Sequence, residues 1–242
     1  MNELYWGILL LVNFAVILLM FRFFGREGLA VWMGVCVIAA NIQVMKTIEI
    51  LGVTATLGNI VYASSFLITD ILSENYGKRA ARRVVYFGLA VIIGFTLLMN
   101  LALLFEPAAD DFAHESLLVI FGFLPRIAAA SLVAYLVSQL HDVWAYAFWK
   151  RRFGGVRSIW IRNNLSTMVS QLVDSLVFTT VAFAGVFSFG IFAEIVLTTY
   201  LLKVVVAAAD TPFVYLATWW VRRGKVAVGD GDAGDRGTAA NR

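Results

Sequence analysis

Asp70 and Glu74 stand four residues apart near the end of an apolar run, in the stretch SSFLITDILSENYGKRAARR from Ser64 to Arg83. That spacing puts both carboxylates on one face of a helix. Lys78, Arg79, Arg82 and Arg83 follow at once. Two carboxylates so placed suit an ion pair with Lys78 or Arg82, or the mouth of a polar cavity. Further polar residues recur inside apolar surroundings. Asn163, Thr167, Ser170, Gln171 and Asp174 repeat at helical spacing, and Ser131, Tyr135, Ser138, Gln139 and Asp142 form another stripe. Thr199, Lys203 and Asp210 align on a third. Asn41, Gln43, Lys46, Thr47 and Glu49 are expected on one more helix, with Lys46 and Glu49 pairing across three residues.

An ionisable side chain at the centre of a membrane helix costs about 2.5–3.5 kcal/mol, so such faces must turn toward each other or toward a wet cavity. The plain reading is interhelical hydrogen bonding that holds a bundle together. The functional reading is a lined cavity. Catalysis has little behind it: the chain carries neither an H-E-x-x-H zinc pattern, nor a G-x-S-x-G elbow, nor a P-loop. His114 and His141 are the only histidines and Cys36 the only cysteine, too few for a histidine site, a cysteine cluster or an internal disulfide. We therefore expect no enzyme, no metal and no cofactor. Carboxylates, amides, hydroxyls and one lysine suit recognition of a small molecule with several hydrogen-bonding edges, which favours a transporter.

The elements that position these residues follow from composition. Of 242 residues, 61% are hydrophobic and 14% charged, with mean hydropathy +0.82. A soluble domain would be about half apolar and a quarter charged. The net charge of +3 sits in short clusters between apolar runs, as membrane topology requires, rather than in a nucleic-acid patch. A spanning helix needs about 20 apolar residues. Seven segments qualify, near residues 4–24, 29–50, 55–72, 84–105, 117–149, 160–187 and 191–221. Pro125 is placed to break the start of the fifth and Pro212 to kink the end of the seventh. Basic clusters follow the first, third, fifth and seventh segments, which puts the N-terminus outside and the C-terminus in the cytoplasm. The first segment lacks the basic start and small-residue cleavage site of a signal peptide and is read as a retained helix. The Gly- and Asp-rich end of the chain is expected to be disordered.

Four blocks carry a resemblance. TDILSENYGKRAARR resembles the T-D-x-x-x-E-x-Y-G motif of the queuosine precursor transporters, also called the vitamin uptake transporter family, at Thr69, Asp70, Glu74, Tyr76 and Gly77. RNNLSTMVSQLVDSLVF is similar to a second family block at Arg162, Ser166, Gln171, Asp174 and Ser175. PRIAAASLVAYLVSQLHD resembles a third, with Arg126, Ser131, Gln139 and Asp142, and LLKVVVAAADTP a closing one, with Lys203 and Pro212. The resemblance spans about residues 30 to 222.

It implies an all-α inner-membrane importer of 7-deazaguanine precursors of the tRNA nucleoside queuosine. It implies a six-helix core, residues 29–222, resembling the substrate-binding subunits of energy-coupling-factor transporters. Here residues 1–28 add an N-terminal helix and residues 223–242 a cytoplasmic tail. The substrate-binding set expected from it is Asp174, with Gln171 and Asn163 nearby, Lys203 and Gln139, and Asp70, Glu74 and Arg162 at the cytoplasmic gate. Phe66, Tyr135 and Phe178 are candidates to stack on a ring. Partners are a purine-like small molecule and the bilayer. Homo-oligomerisation, and dependence on a separate ATPase module, stay open, as does the alternative of a structural membrane protein.

Overall fold

A computed structural model of the chain describes residues 1–44, 46–50, 53–122, 125–183 and 189–226. The expected disordered tail lies outside the described residues from 227 on. The chain opens with α1 (Asn2–Gln43), which is interrupted at Gly25, where φ is +58° and ψ −137°. Two of its hydrogen bonds decide its shape. Trp32 Nε1 donates to Asn13 Oδ1 at 2.9 Å, and Cys36 Sγ lies 3.7 Å from the same oxygen. At 1.5 Å rise per residue a straight helix would hold residues 13 and 36 about 34 Å apart. The element is therefore two antiparallel helices, residues 2–24 (α1a) and 26–43 (α1b), folded back at a glycine that supplies the positive φ. Gly28 completes the turn: a Cβ there would lie 2.3 Å from the Met20 carbonyl oxygen. This matches the two separate segments expected from hydropathy.

Next comes a departure from the all-α expectation. Thr47–Ile50 (β1) and Val53–Thr56 (β2) pair as an antiparallel hairpin, with Thr47 opposite Thr56 and Ile50 opposite Val53. The second helix thus ends at Gln43 rather than at 50, and Lys46 and Glu49 do not share a helical face; both are exposed. Asn2 Nδ2 donates to the Glu49 carbonyl at 2.9 Å and ties the hairpin to the start of α1a.

The remaining long helices are α2 (Gly58–Asn75), α3 (Lys78–Ala102), α5 (Pro125–Arg152), α6 (Ile159–Phe183) and α7 (Phe189–Arg222), with a short α4 (His114–Leu117) in the connection before α5. Pro125 opens α5, where its missing N–H costs no helical bond. Pro212 lies inside α7, which continues past it. Gly77, with φ +83°, makes the turn that separates α2 from α3.

The centre of the bundle is α2. From Ile60 to Ser73 every residue but Tyr62 is buried, and α1, α3, α5 and α7 pack around it. The surrounding helices turn large apolar side chains outward, among them Leu11, Leu19 and Phe23 of α1a, Leu97 and Leu98 of α3, and Leu201 and Val205 of α7. On a soluble domain that surface would aggregate; against lipid it is the ordinary finish. Three helical stretches among the described residues are long and apolar enough to cross a membrane: α1, α3 and Thr199–Arg222 of α7. α2, α5, α6 and α7 carry polar stripes whose buried members, such as Asp70, Asp142, Asp174 and Asp210, face inward.

Candidate functional site

The polar residues form three layers along the bundle. The first surrounds a cavity between the end of α1b, the start of α2, and α3, α5, α6 and α7. It holds about 550 Å³ of empty space, mouth included. Asp174 of α6 and Lys203 of α7 line it, with Tyr62 of α2, Tyr135 of α5 and Phe178 of α6 as aromatic walls. Asn41 and Asn59 line it too, on the helix ends farthest from the basic clusters.

Asp174 is the hub of this layer. Its carboxylate accepts from Tyr62 Oη, from Ser138 Oγ at 2.9 Å, and from Lys203 Nζ in an ion pair whose partners are each only 3% exposed. The ammonium of Lys203 also lies 5.0 Å from the centre of the Tyr62 ring, a cation–π distance. A buried ion pair recovers its desolvation only when further hydrogen bonds serve it, and here the carboxylate has them. Tyr135 points its hydroxyl to the Val85 carbonyl at 3.3 Å. Gly88 makes room for it, since a Cβ there would lie 2.1 Å from that hydroxyl oxygen.

The second layer lies about 10 Å along α6, seven residues from Asp174. Thr167 Oγ1 is 3.0 Å from Asp70 Oδ2 and 3.3 Å from Asp142 Oδ1, and Thr69 Oγ1 is 3.2 Å from Asp142 Oδ2. Next to them Asn163 Nδ2 donates to Asp210 Oδ1 at 2.6 Å and reaches Thr211 Oγ1 at 3.1 Å. Asp70, Asp142 and Asp210 are fully buried.

The third layer closes the bundle at its basic end. Arg162 Nη2 and Nε meet Glu74 Oε1 and Oε2 at 2.6 and 2.9 Å, a two-pronged pair. Arg162 Nη1 donates to the carbonyls of Phe153 and Gly155 at 2.9 and 2.8 Å, which ties the α5–α6 connection to the end of α2. Tyr146 Oη donates to Glu74 at 3.2 Å, and Lys150 Nζ bonds the carbonyls of Ser73 and Glu74. Glu74 thus pairs with Arg162 and Lys150, not with the neighbouring Lys78 or Arg82. Arginine suits this place because its fork serves the carboxylate and two carbonyls at once.

Of the eight residues expected at the site, Asp174 and Lys203 line the cavity. Gln139 and Gln171 lie buried between the first two layers: Gln139 Nε2 donates to Ser65 Oγ at 2.8 Å, while Gln139 Oε1 and both polar atoms of Gln171 have no partner among the described residues. Asn163 and Asp70 belong to the second layer, and Glu74 and Arg162 to the third. Asp174 and Asn163 are thus a layer apart rather than neighbours. Among the aromatic candidates Tyr135 and Phe178 line the cavity, whereas Phe66 is core and meets Tyr62 edge-on at 6.1 Å. The side chain of Arg126 lies outside the described set. Sequence reasoning missed Tyr62, which reads as one more aromatic in an apolar run; its only signal is a four-residue step to Phe66 and a seven-residue step to Thr69 on the polar helix.

A helical bundle with lipid-ready flanks, an off-centre cavity holding a buried charge pair, and closed polar layers beneath it has the anatomy of a membrane transport protein. Comparison with known proteins supplies the family. A family profile described as "Putative vitamin uptake transporter" matches residues 56–217. A "Probable queuosine precursor transporter" of Bacillus subtilis (strain 168) is 43% identical over 216 residues, 89% of this chain and 94% of the relative. The "Queuosine precursor transporter" of Escherichia coli (strain K12) is 29% identical over 70% of this chain and 75% of its own. No solved structure gives a significant match. The chain belongs to the vitamin uptake transporter family, a family of transporters and not of enzymes.

Proposed function

We propose that this protein imports a 7-deazaguanine precursor of queuosine across the inner membrane, with its N-terminus outside and its C-terminus in the cytoplasm. Seven helical passes, α1a, α1b, α2, α3, α5, α6 and α7, give that odd count. The basic residues that follow α1a, α2, α5 and α7 give the sign. The observation that carries the substrate reading is Asp174, a buried carboxylate on an aromatic-walled cavity. A deazaguanine offers neighbouring N–H donors on one edge and a carbonyl beside them. Asp174 accepts from the donors in place of the Tyr62 and Ser138 hydroxyls, Lys203 donates to the carbonyl, and Tyr62, Tyr135 or Phe178 cover the ring. A site built for such hydrogen bonds rejects analogues lacking them by about 10⁴–10⁵, because its buried polar groups would be left unpaired. With the cavity at the α1b–α2 end and the Glu74–Arg162 layer joined at the other, the arrangement fits an outward-facing state. Import then requires that layer to part.

The test is ligand-dependent stabilisation of the purified full chain. At a hundred times its Kd, 7-cyano-7-deazaguanine should stabilise the protein by about 2.7 kcal/mol, adenine should not, and Asp174→Asn should abolish the effect. Equal stabilisation by adenine, or an unaltered response of Asp174→Asn, contradicts the assignment.

A further inference from the structure

The second layer poses a problem of hydrogen atoms. Asp70 of α2, Asp142 of α5 and Asp210 of α7 converge there, all at 0% exposure. Burying one uncompensated carboxylate costs several kcal/mol, and three in one layer repel one another as well. Among the described residues none of the three has a cationic partner. The nearby cations are committed elsewhere: Lys203 to Asp174, and Arg162 and Lys150 to Glu74. From the other packed groups, His141 bonds Ser170 at 2.9 Å and Tyr146 bonds Glu74.

The hydroxyls do not supply enough hydrogens: Ser170 also faces Asp142, but its oxygen lies 2.8 Å from the Ser166 carbonyl, to which it donates. Thr167 brings one, yet its oxygen lies within bonding distance of both Asp70 Oδ2 and Asp142 Oδ1. Thr69 brings one, yet its oxygen meets both Asp142 Oδ2 and the Phe66 carbonyl, the latter at 2.9 Å. Four oxygen–oxygen contacts thus share two hydroxyl hydrogens, and a hydroxyl has only one to give. A second observation points the same way. Asn163, also at 0% exposure, turns its carboxamide onto this layer, where Nδ2 serves Asp210; among the described residues its Oδ1 has no partner, and Asp70 Oδ1 and Asp210 Oδ2 lack one too. The layer is short of hydrogens, and the described acidic side chains do not assemble into a metal-holding group.

We propose that Asp70, Asp142 and Asp210 form a proton-binding site, and that a proton taken up there travels inward with each substrate molecule. The second half rests on the import reading above. The balance is simple: a carboxylate oxygen takes H⁺ from water reaching it from the cavity side, forming a carboxylic acid. That acid donates its one hydrogen to one of the orphaned oxygens, and returns H⁺ to cytoplasmic water once the Glu74–Arg162 layer parts. The substrate is not altered.

The site is tested without any substrate by infrared spectroscopy of the full chain in lipid vesicles at neutral pH. We expect the carbonyl stretch of a buried protonated carboxylic acid, lost or shifted in Asp142→Asn and kept in Asp142→Glu, which also controls for folding. Coupling is tested in vesicles with labelled 7-cyano-7-deazaguanine. One proton per substrate makes a one-unit pH gradient, acid outside, concentrate the label about tenfold, since one unit is a tenfold free-energy step. Protonophore should abolish this, and Asp142→Asn should show no response to the gradient. Absence of the acid band at neutral pH overturns the site. Accumulation indifferent to protonophore, or driven by sodium instead, overturns the coupling. If the band behaves as expected while the compound neither binds nor enters, the proton site stands and the substrate reading is what fails.

Discussion

Consider what happens when the Asp174–Lys203 pair is cut from either side. Asp174→Asn removes the anion and leaves the Lys203 ammonium buried with the face of Tyr62 at 5.0 Å as its remaining support. Stranding one member of a buried pair costs about 3–5 kcal/mol, and a ring face returns about 0.5–2 kcal/mol. Lys203→Met strands the carboxylate instead, but Asp174 keeps two hydroxyl donors, Tyr62 and Ser138. Hydrogen bonds to a charged group contribute about 1.5–3 kcal/mol each, so this cut should cost less, about 2 kcal/mol. The double variant strands no charge, and the two single costs should overshoot it by about 2 kcal/mol. Thermal unfolding of the four proteins in one detergent reads this out. With about 2–4 °C per kcal/mol for a chain of this size, Asp174→Asn should fall by roughly 6–12 °C and Lys203→Met by less. Additivity within about 0.5 kcal/mol, or a larger loss in Lys203→Met, refutes the reasoning, because the pair and its unequal support would then not exist.

Arg162→Lys should lower stability by about 3 kcal/mol, since a lysine cannot serve Glu74 and the Phe153 and Gly155 carbonyls together; a melting temperature unchanged from the parent counts against the closing layer. Gly58→Ala should cost about 1–3 kcal/mol. Its Cβ would sit 2.4 Å from the Ala40 carbonyl and 2.8 Å from the Val44 nitrogen, backbone atoms that cannot swing aside at the cavity rim; the same melting assay checks it. In the loop before α4, the backbone N–H groups of His114 and Ala113, each 2.7 Å from Asp111 Oδ1, hold that carboxyl below its ordinary pKa. A depressed value means the cap is in place above the usual carboxylate range and is lost as pH falls through the folded value. Hydrogen exchange at the His114 amide should therefore quicken only in strong acid and should lose that step in Asp111→Ala. For topology, in a Cys36→Ser background an impermeant maleimide should label Asp110→Cys from outside the cell and Arg152→Cys only after lysis.

Much of the helical architecture can be read from hydropathy, because lipid forces the backbone into helices. The polar stripes also announce inward faces correctly: Asp174, Thr167 and Asn163 are all buried on α6, the first in one layer and the other two in the next. What periodicity does not give is depth. Asn163 and Asp174 share a face yet are 11 residues apart, so they serve different layers, and only the partner helices say which. The hairpin over residues 47–56 was misread because TIEI and VTAT continue an apolar run. Their β-branched residues around Gly52 are a strand signal that the helical template overrode. Tyr62 was missed because an aromatic in a buried helix is ordinarily core. Its hydroxyl becomes informative only once Ser138 of α5 and Asp174 of α6 are seen to meet it. Glu74 and Arg162 are 88 residues apart, and no local spacing could have joined them.

Import of a deazaguanine through the Asp174 cavity would leave its mark on tRNA. It is tested most directly by tRNA queuosine in cells that cannot make the precursor, fed nanomolar 7-cyano-7-deazaguanine, with this protein, with Asp174→Asn, or with neither. Queuosine should appear only with the parent chain. Queuosine at parental levels with Asp174→Asn, or none with the parent chain despite confirmed membrane expression, would contradict it.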